Sequence, residues 1–387
     1  MEKIQTNNER NIGLYIHIPF CIQKCPYCDF YSIPTCQFIP DYIDALIKEI
    51  QIKSTIHLPV DTIYYGGGTP SVLDPSQIER ICESIQNHWQ VIQHAEITLE
   101  ANPGTLTEEK LTAWKSSGIN RINLGIQSFH DIHLKQLGRI YTAFQAHQAI
   151  DLIQKKGFQN IGLDLIYGIP EQTLDDFEKD LLIAIEYKPE HLSCYSLTYE
   201  PETPLYQKMK QNTIKPLSEN IVAQMMTSSM DISEQSGYDH YETSNYAWGS
   251  EFRSRHNQKY WALLPYLGFG ASAHSFLDNR RFWNVKDVIQ YIKRLSLYRD
   301  PVDGSEHLTP QQHMIEAIFL GLRTQQGIQV KEFEKRFSLY FNDIFSDVLD
   351  PLRMDGYIEK TPEWCRLKRS GWFYLDSIIE QMVHCLS

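Results

Sequence analysis

Three thiols stand within eight residues, in Cys21-Ile22-Gln23-Lys24-Cys25-Pro26-Tyr27-Cys28. Thiols spaced by four and then three residues can converge on one centre from a loop. A closed zinc site would need a second CxxC couple, which the sequence lacks. Three protein ligands leave one position open. Thiolate is the ligand that iron-sulfur clusters take, and a four-iron cluster held by Cys21, Cys25 and Cys28 keeps one iron free for a small molecule. The plainer reading, a reduced loop with incidental thiols, is weaker because Pro26 and Tyr27 suit a tight, dry loop. The other cysteines, Cys36, Cys82, Cys194, Cys365 and Cys385, read as small buried hydrophobes, with Cys36 as a spare ligand at most.

Such a loop needs a scaffold, and the sequence supplies one. Short β-rich runs at Ile12 to Ile18, Asp61 to Gly66, Ala95 to Ala101, Ile119 to Ile126, Asn160 to Ile166 and His191 to Leu197 read as strands. Helical periodicity lies between them at Pro40 to Ile52, Pro75 to Trp89, Thr107 to Ser117, Tyr141 to Lys156 and Leu174 to Tyr187. Six such steps predict an α/β fold with a parallel sheet, open or curled into a barrel, whose ligands collect at the carboxyl ends of the strands. The polar clusters fall there: the cysteine loop after the first strand, Gly66-Gly67-Gly68-Thr69-Pro70 after the second, Glu100, Asn102 and Pro103 at the third. Gln127, Asp164, Tyr195 and Glu200 follow at the next three. From about Glu202 to Asp300 the pattern is irregular and aromatic, and it is expected to extend the sheet and cap the mouth. Beyond Pro301, helices at His313 to Arg323, Val330 to Phe337 and Phe341 to Met354, with a hairpin from Tyr357, read as a winged-helix-like module.

With 36 basic and 48 acidic residues and a formal charge of -12, the chain has no global attraction for nucleic acid. Met1 to Asn8 has no apolar signal region and no later run approaches a membrane span, so the expected location is the cytoplasm, without an integral membrane segment. The glycine run lets backbone approach a ligand closely. Glu100 puts a charge at the end of an apolar strand, which is costly without a partner. Arg139 offers a planar fork for a carboxylate, and Asp164 points inward and suits ribose hydroxyls. His256, four and five residues before Tyr260 and Trp261, joins an imidazole to two aromatics, which suits haem as well as it suits a satisfied histidine in an aromatic lid.

The segment Tyr15-Ile16-His17-Ile18-Pro19-Phe20-Cys21 followed by CxxxCxxC resembles the radical S-adenosylmethionine superfamily. Within it, the likeness is to oxygen-independent coproporphyrinogen dehydrogenases and their relatives, the haem chaperone HemW branch, and it covers nearly the whole chain. The resemblance implies a partial (β/α)6 TIM-like barrel over residues 1–200, an extension over 201–305 and a winged-helix-like, α-rich domain over 306–387. It also implies a 4Fe-4S cluster whose open iron takes S-adenosylmethionine, and an electron donor to it. Gly67, Gly68 and Thr69 then lie against the methionine part, and Glu100 of an ExNP pattern contacts the cofactor. Gln127, Arg139 and Asp164 complete the pocket with Tyr15 and Tyr27.

Two features separate the branches. Phe30 stands where the dehydrogenases carry a further cysteine, and His256-Asn257-Gln258-Lys259-Tyr260-Trp261 matches the HNxxYW pattern of the haem chaperones. The resemblance therefore implies a protein that binds haem, with His256 as an axial ligand, and delivers it to an acceptor protein. The alternative is a coproporphyrinogen III dehydrogenase converting two propionates to vinyl groups.

Overall fold

The computed structural model describes residues 11–386, so the expectation drawn from Met1 to Asn8 lies outside the described residues. Strand and helix alternate through β1 (Ile12–Ile18), α1 (Ile39–Lys53), β2 (Val60–Gly67), α2 (Pro75–His88), β3 (Val91–Ala101), α3 (Glu108–Ser116) and β4 (Arg121–Gln127). The series continues with α4 (Asp131–Gln136), α5 (Ala143–Lys155), β5 (Ile161–Tyr167), α6 (Leu174–Glu186) and β6 (His191–Ser196). The six strands pair in parallel and in chain order. Their outward residues, such as Ile12, Leu14, Ile16 and Ile18 of β1, join the helices in one apolar core, and the alternate residues face inward. Capping boxes at Asp74, Thr142 and Thr173 stop the preceding loops and start α2, α5 and α6 in register. The six-residue α4 has too short an apolar period to be read in advance.

The irregular stretch holds α7 (Pro204–Lys210), α8 (Glu219–Gln235), β7 (Asp239–Glu242), β8 (Asn245–Ala247), α9 (Arg255–Trp261) and β9 (Tyr266–Phe269). It ends with β10 (His274–Leu277), β11 (Arg280–Asn284), α10 (Val288–Ser296) and β12 (Val302–His307). It extends the sheet at both edges: β8 pairs antiparallel with β6, and β9 pairs parallel with β1 and leads into antiparallel β10 to β12. The result is one sheet of 12 strands in the order β12-β11-β10-β9-β1-β2-β3-β4-β5-β6-β8-β7.

After it come α11 (Pro310–Leu322), β13 (Ile328–Gln329), α12 (Val330–Phe337), α13 (Phe341–Met354), β14 (Ile358–Lys360), β15 (Trp364–Leu367) and α14 (Leu375–His384). The expected helices and hairpin are present, with β13 and α14 added. This module has its own core around Phe333, Phe341, Phe345 and Trp372, which Met230 of α8 joins. Ion pairs from Arg369 to Asp231 and Glu234, and from Arg281 to Glu316, tie it to the rest.

The HNxxYW segment lies at the floor of the barrel instead of its mouth. Short α9 crosses the amino ends of β1 to β3, where Glu96 accepts from the backbone N–H groups of Arg255 and His256 and Lys259 pairs with buried Asp61 at 2.8 Å. His256 is fully buried, its Nδ1 2.8 Å from Thr62 Oγ1 and its Nε2 2.8 Å from Tyr260 Oη, with its ring stacked on Tyr64. Burial, and then Lys259, push its pKa down to about 3, so it is a neutral imidazole with both nitrogens occupied. To act as the expected axial haem ligand it would have to give up one of these bonds, since both nitrogens are engaged and the ring is stacked on Tyr64. Replacement of His256 by alanine is expected to cost about 2–4 kcal/mol of stability, from a cavity plus two lost hydrogen bonds, read by denaturant titration. The haem absorption band per folded molecule should not move; a band displaced in fully folded protein would return His256 to a ligand role.

Candidate cofactor site

The cysteine loop is a closed excursion from the top of β1. Ile33 N–H donates to Pro19 O at 2.8 Å and Cys21 N–H to Ile33 O at 3.1 Å, so the chain returns to its starting point. Cys21, Cys25 and Cys28 all line a cavity of about 610 Å³ at the carboxyl ends of the strands. Cys21 is buried, the other two are half-buried, and Cys36 is exposed and apart from the cavity. Among the described residues no three His, Cys, Asp or Glu side chains close on a single metal ion. A multi-iron cluster asks for a looser arrangement, because each cysteine holds a different iron. Burial raises the Cys28 thiol, as do the neighbouring Cys25 and Cys21, against the lowering by the Phe30 backbone and Lys24.

The three glycines at the carboxyl end of β2 have three different duties. A Cβ on Gly66 would stand 3.0 Å from the Tyr64 ring, 3.1 Å from Tyr15 and 3.2 Å from Glu100 Oε2, so its absence opens the interior beside that carboxylate. Gly67 alone takes a positive φ, 111°, and its Cβ would enter the His17 ring. Gly68 lies on the backbone of the cysteine loop: its N–H donates to Ile18 O at 2.8 Å, and a Cβ there would be 2.8 Å from Phe20 O.

From this turn a polar chain crosses the cavity wall. Cys21 Sγ is 3.5 Å from Thr69 Oγ1, which accepts from Asn102 Nδ2 at 3.2 Å; Arg139 Nη1 donates to Asn102 Oδ1 at 3.2 Å and its Nη2 to the Tyr27 phenol. Arg139 thus spends its fork on a phenol and an amide, not on a carboxylate as expected, and its buried Nε is left without a partner. Across the cavity two carboxylates are in the opposite condition. Glu100 is raised to about 7 by burial, with Tyr64 donating to its Oε1 at 2.7 Å, and Asp164 is raised to about 6 by burial, with Oδ1 unpartnered. Two half-buried acids on the wall of one cavity call for a cation or hydroxyl donors.

The structure brings together Tyr27, Gly67, Gly68, Thr69, Glu100, Gln127, Arg139 and Asp164 with the cysteines. Gln127 sits at a positive φ of 67°, and glycine at 125 leaves room for its side chain to fold back over the strand end. Tyr15 lies one layer below, stacked on Tyr64 and bonded to His17 Nδ1 at 3.1 Å, outside the cavity lining. His256 is at the far end. Asn102 and Tyr195, both expected at strand ends on this face, also line the cavity, as does Tyr141, which was not expected there. Asn102 was legible as the asparagine of ExNP, whereas Tyr141, whose hydroxyl donates to Gly125 O at 2.6 Å, sits at a helix start that carries no site signal.

A methyl group at position 68 has only backbone to push against. Gly68→Ala is therefore expected to lower iron and sulfide content after anaerobic reconstitution severalfold, while Gly104→Ala, whose Cβ would meet only Tyr141 Cβ at 3.5 Å, should assemble normally. Equal content in the two variants would show that the contact does not govern the loop.

Comparison with known proteins gives a consistent result. The profile of the radical SAM superfamily matches residues 15–183 and that of the HemN C-terminal domain residues 308–374. Proteins named heme chaperone HemW are similar over most of both chains. That of Lactococcus lactis is 37% identical over 87% of this chain and 88% of its own length. That of Buchnera aphidicola subsp. Schizaphis graminum is 34% identical, and that of Escherichia coli K12 31%, each over 95% of this chain and 97% of its own length. The solved coproporphyrinogen III oxidase HemN of Escherichia coli superposes with a TM-score of 0.84 over 96% of this chain and 90% of its own, at 24% identity, a likeness of fold. The barrel, the cysteine loop at its mouth and these relatives agree, and the chain belongs to the radical SAM superfamily and, within it, to the HemW family.

Proposed function

We propose that the protein is a haem chaperone of the radical SAM type, which binds haem and passes it to an acceptor protein. Membership of the superfamily implies a 4Fe-4S cluster and S-adenosylmethionine. The observation that carries their placement is the shared cavity, where three thiols stand beside two carboxylates that have no cation. Cys21, Cys25 and Cys28 hold the cluster, and Gly67, Gly68 and Thr69 form the backbone cradle next to it. Glu100 and Asp164 receive the ammonium or hydroxyl groups of the ligand, and Arg139 lines the same cavity. When bound, the cluster supplies one electron to the sulfonium, and an electron donor must replace it. Tyr27 and Asn102 hold Arg139 in position.

The chaperone reading over the dehydrogenase is supported by the HemW relatives and by Phe30, which is 71% exposed on the cavity wall where a dehydrogenase would present a thiol. We divide the chain into a barrel over 1–200, its sheet extension over 201–305 and a partner-docking module over 306–387. No helix among the described residues is long and apolar enough to cross a membrane, and the eight unpaired cysteines favour a reducing compartment, the cytoplasm.

Alanine at any one of Cys21, Cys25 or Cys28 is expected to abolish the cluster, and Cys36→Ala to leave it intact, read by iron and sulfide counts after anaerobic reconstitution. Full cluster content in Cys25→Ala would remove the assignment.

The two carboxylates give a pH dependence of definite sign. Their folded values, about 7 for Glu100 and about 6 for Asp164, lie above the ordinary 4.5 and 3.8, so in the ligand-free protein they contribute stability at low pH that is lost as pH rises to those values. A cationic ligand reverses this by favouring the ionised forms. S-adenosylmethionine affinity should therefore rise from about pH 5.5 to 7 with release of protons, seen by calorimetry in buffers of different ionisation heat. Glu100→Gln and Asp164→Asn should weaken binding by about tenfold or more and flatten that rise, while cluster content stays normal. Unchanged affinity in both variants would take these residues out of the pocket.

A further inference from the structure

The wall of the cofactor cavity is strained at the end of β4. Among the described residues that line the cavity, Gln127 is the only one other than glycine with a positive φ, 67°, and the Ser128 N–H reaches back across it to Ile126 O at 2.9 Å. A hydrogen bond that spans a single residue of positive φ closes the rare form of the three-residue turn, which persists only where its surroundings over-determine it. β4 also breaks register against β5 between Gly125 and Gln127, an irregularity of the kind that re-aims a side chain beside a site. Here it turns the Gln127 amide back over Gly125, where a Cβ would lie 2.7 Å from Nε2.

What holds this turn comes from outside the cavity. Asp180, on α6, is fully buried and is not part of the cavity wall. Both of its oxygens are engaged by the residues that follow Gln127: Oδ2 accepts from Ser128 Oγ and Oδ1 from the Phe129 N–H, each at 2.6 Å. Ser128 Oγ accepts in turn from the His130 N–H at 3.1 Å, so one carboxylate anchors three consecutive residues. His130 Nε2 stands 3.8 Å from Oδ1. A charge among Phe177, Leu181 and Ala184 on the buried face of α6 is costly, and two charge-assisted hydrogen bonds to one turn offset that cost. The capping box at Thr173 and Asp176 fixes where α6 begins, and Asp180 follows Asp176 by one helical turn.

We propose that Asp180 is a positioning residue of the cofactor cavity, which clamps Ser128 and Phe129 and thereby holds the Gln127 amide where bound S-adenosylmethionine meets it. This rests on the reading of the cavity as the S-adenosylmethionine site and adds a residue that never touches the ligand. Without the carboxylate the turn relaxes toward negative φ, and the Gln127 side chain leaves its place over Gly125.

The test is calorimetric titration of S-adenosylmethionine into the full, cluster-reconstituted chain and into Asp180→Ala, Gln127→Gly and the double variant, with iron and sulfide counts and a denaturant titration on each. Glycine at position 127 removes the amide and tolerates the positive φ. Each single variant is expected to bind about tenfold more weakly, and the double variant about tenfold as well, against the roughly hundredfold of independent effects. Cluster content should be normal throughout. A merely structural role lowers the denaturant midpoint of Asp180→Ala and leaves the affinity per folded, cluster-bearing molecule unmoved. If the parent binds, the positioning role is overturned by parent-like affinity in folded Asp180→Ala or in Gln127→Gly, or by a further tenfold loss when Asp180→Ala is added to Gln127→Gly; the reading of the cavity then stands. If Asp180→Ala fails to fold, Ser128→Ala, which removes one of the two donors, decides: binding about threefold weaker supports the role, and parent-like affinity overturns it. If the parent binds no S-adenosylmethionine, the role and the reading of the cavity fall together.

Discussion

The mouth of this barrel depends on backbone lying against backbone. Gly68 meets the end of β1 with no side chain between them, and its N–H takes the Ile18 carbonyl just before the chain departs into the cysteine loop. Parallel pairing of β1 and β2 runs up to Ile18 and Gly67, so the ladder hands its register directly to this contact. The cysteines are then placed by main-chain geometry, which is stiff, and not by side-chain packing, which tolerates change. The same turn sets Thr69 against Cys21 and leaves Glu100 a view of the cavity. One hydrogen bond and two missing Cβ atoms, at Gly66 and Gly68, thus position the thiols, the hydroxyl and the carboxylate together.

The barrel interior divides into two polar levels that differ in access. At the floor, Glu96, Thr62, His256, Lys259 and Asp61 largely satisfy one another, and Arg121 Nη1 donates to Phe252 O at 2.8 Å. At the mouth, Asp164 and Arg139 each keep an unpartnered buried atom, as Arg121 does at the floor through its Nη2. Both levels carry the same residue types, so composition does not distinguish them. What does is access: the mouth residues line the cavity shared with the three thiols, and the floor residues do not.

That distinction sets the limit of what the sequence discloses. The six parallel strands, five of the helices and the gathering of motifs at strand ends were legible, because burial on both faces and helical periodicity leave plain marks. Cys21, Gly68 and Glu100 were legible as site residues for the same reason, each being a local anomaly at a predicted strand end. His256 was not placed correctly. An imidazole followed by two aromatics reads alike whether it ligates or packs, and only its long-range partners, Thr62 and Glu96, decide the matter.

The closure of the cysteine loop at Pro19 and Ile33 has a consequence for the life of the protein under oxygen. Because the excursion leaves and re-enters the fold at one point, the barrel does not thread through it, and the apolar core lies outside it apart from Phe20 and the partly buried Tyr31 and Ile33. Stripping iron and sulfide from such a loop removes a cassette, not a wall. The damaged molecule retains a folded scaffold with three thiols still tethered over the same opening, a substrate for repair rather than for degradation.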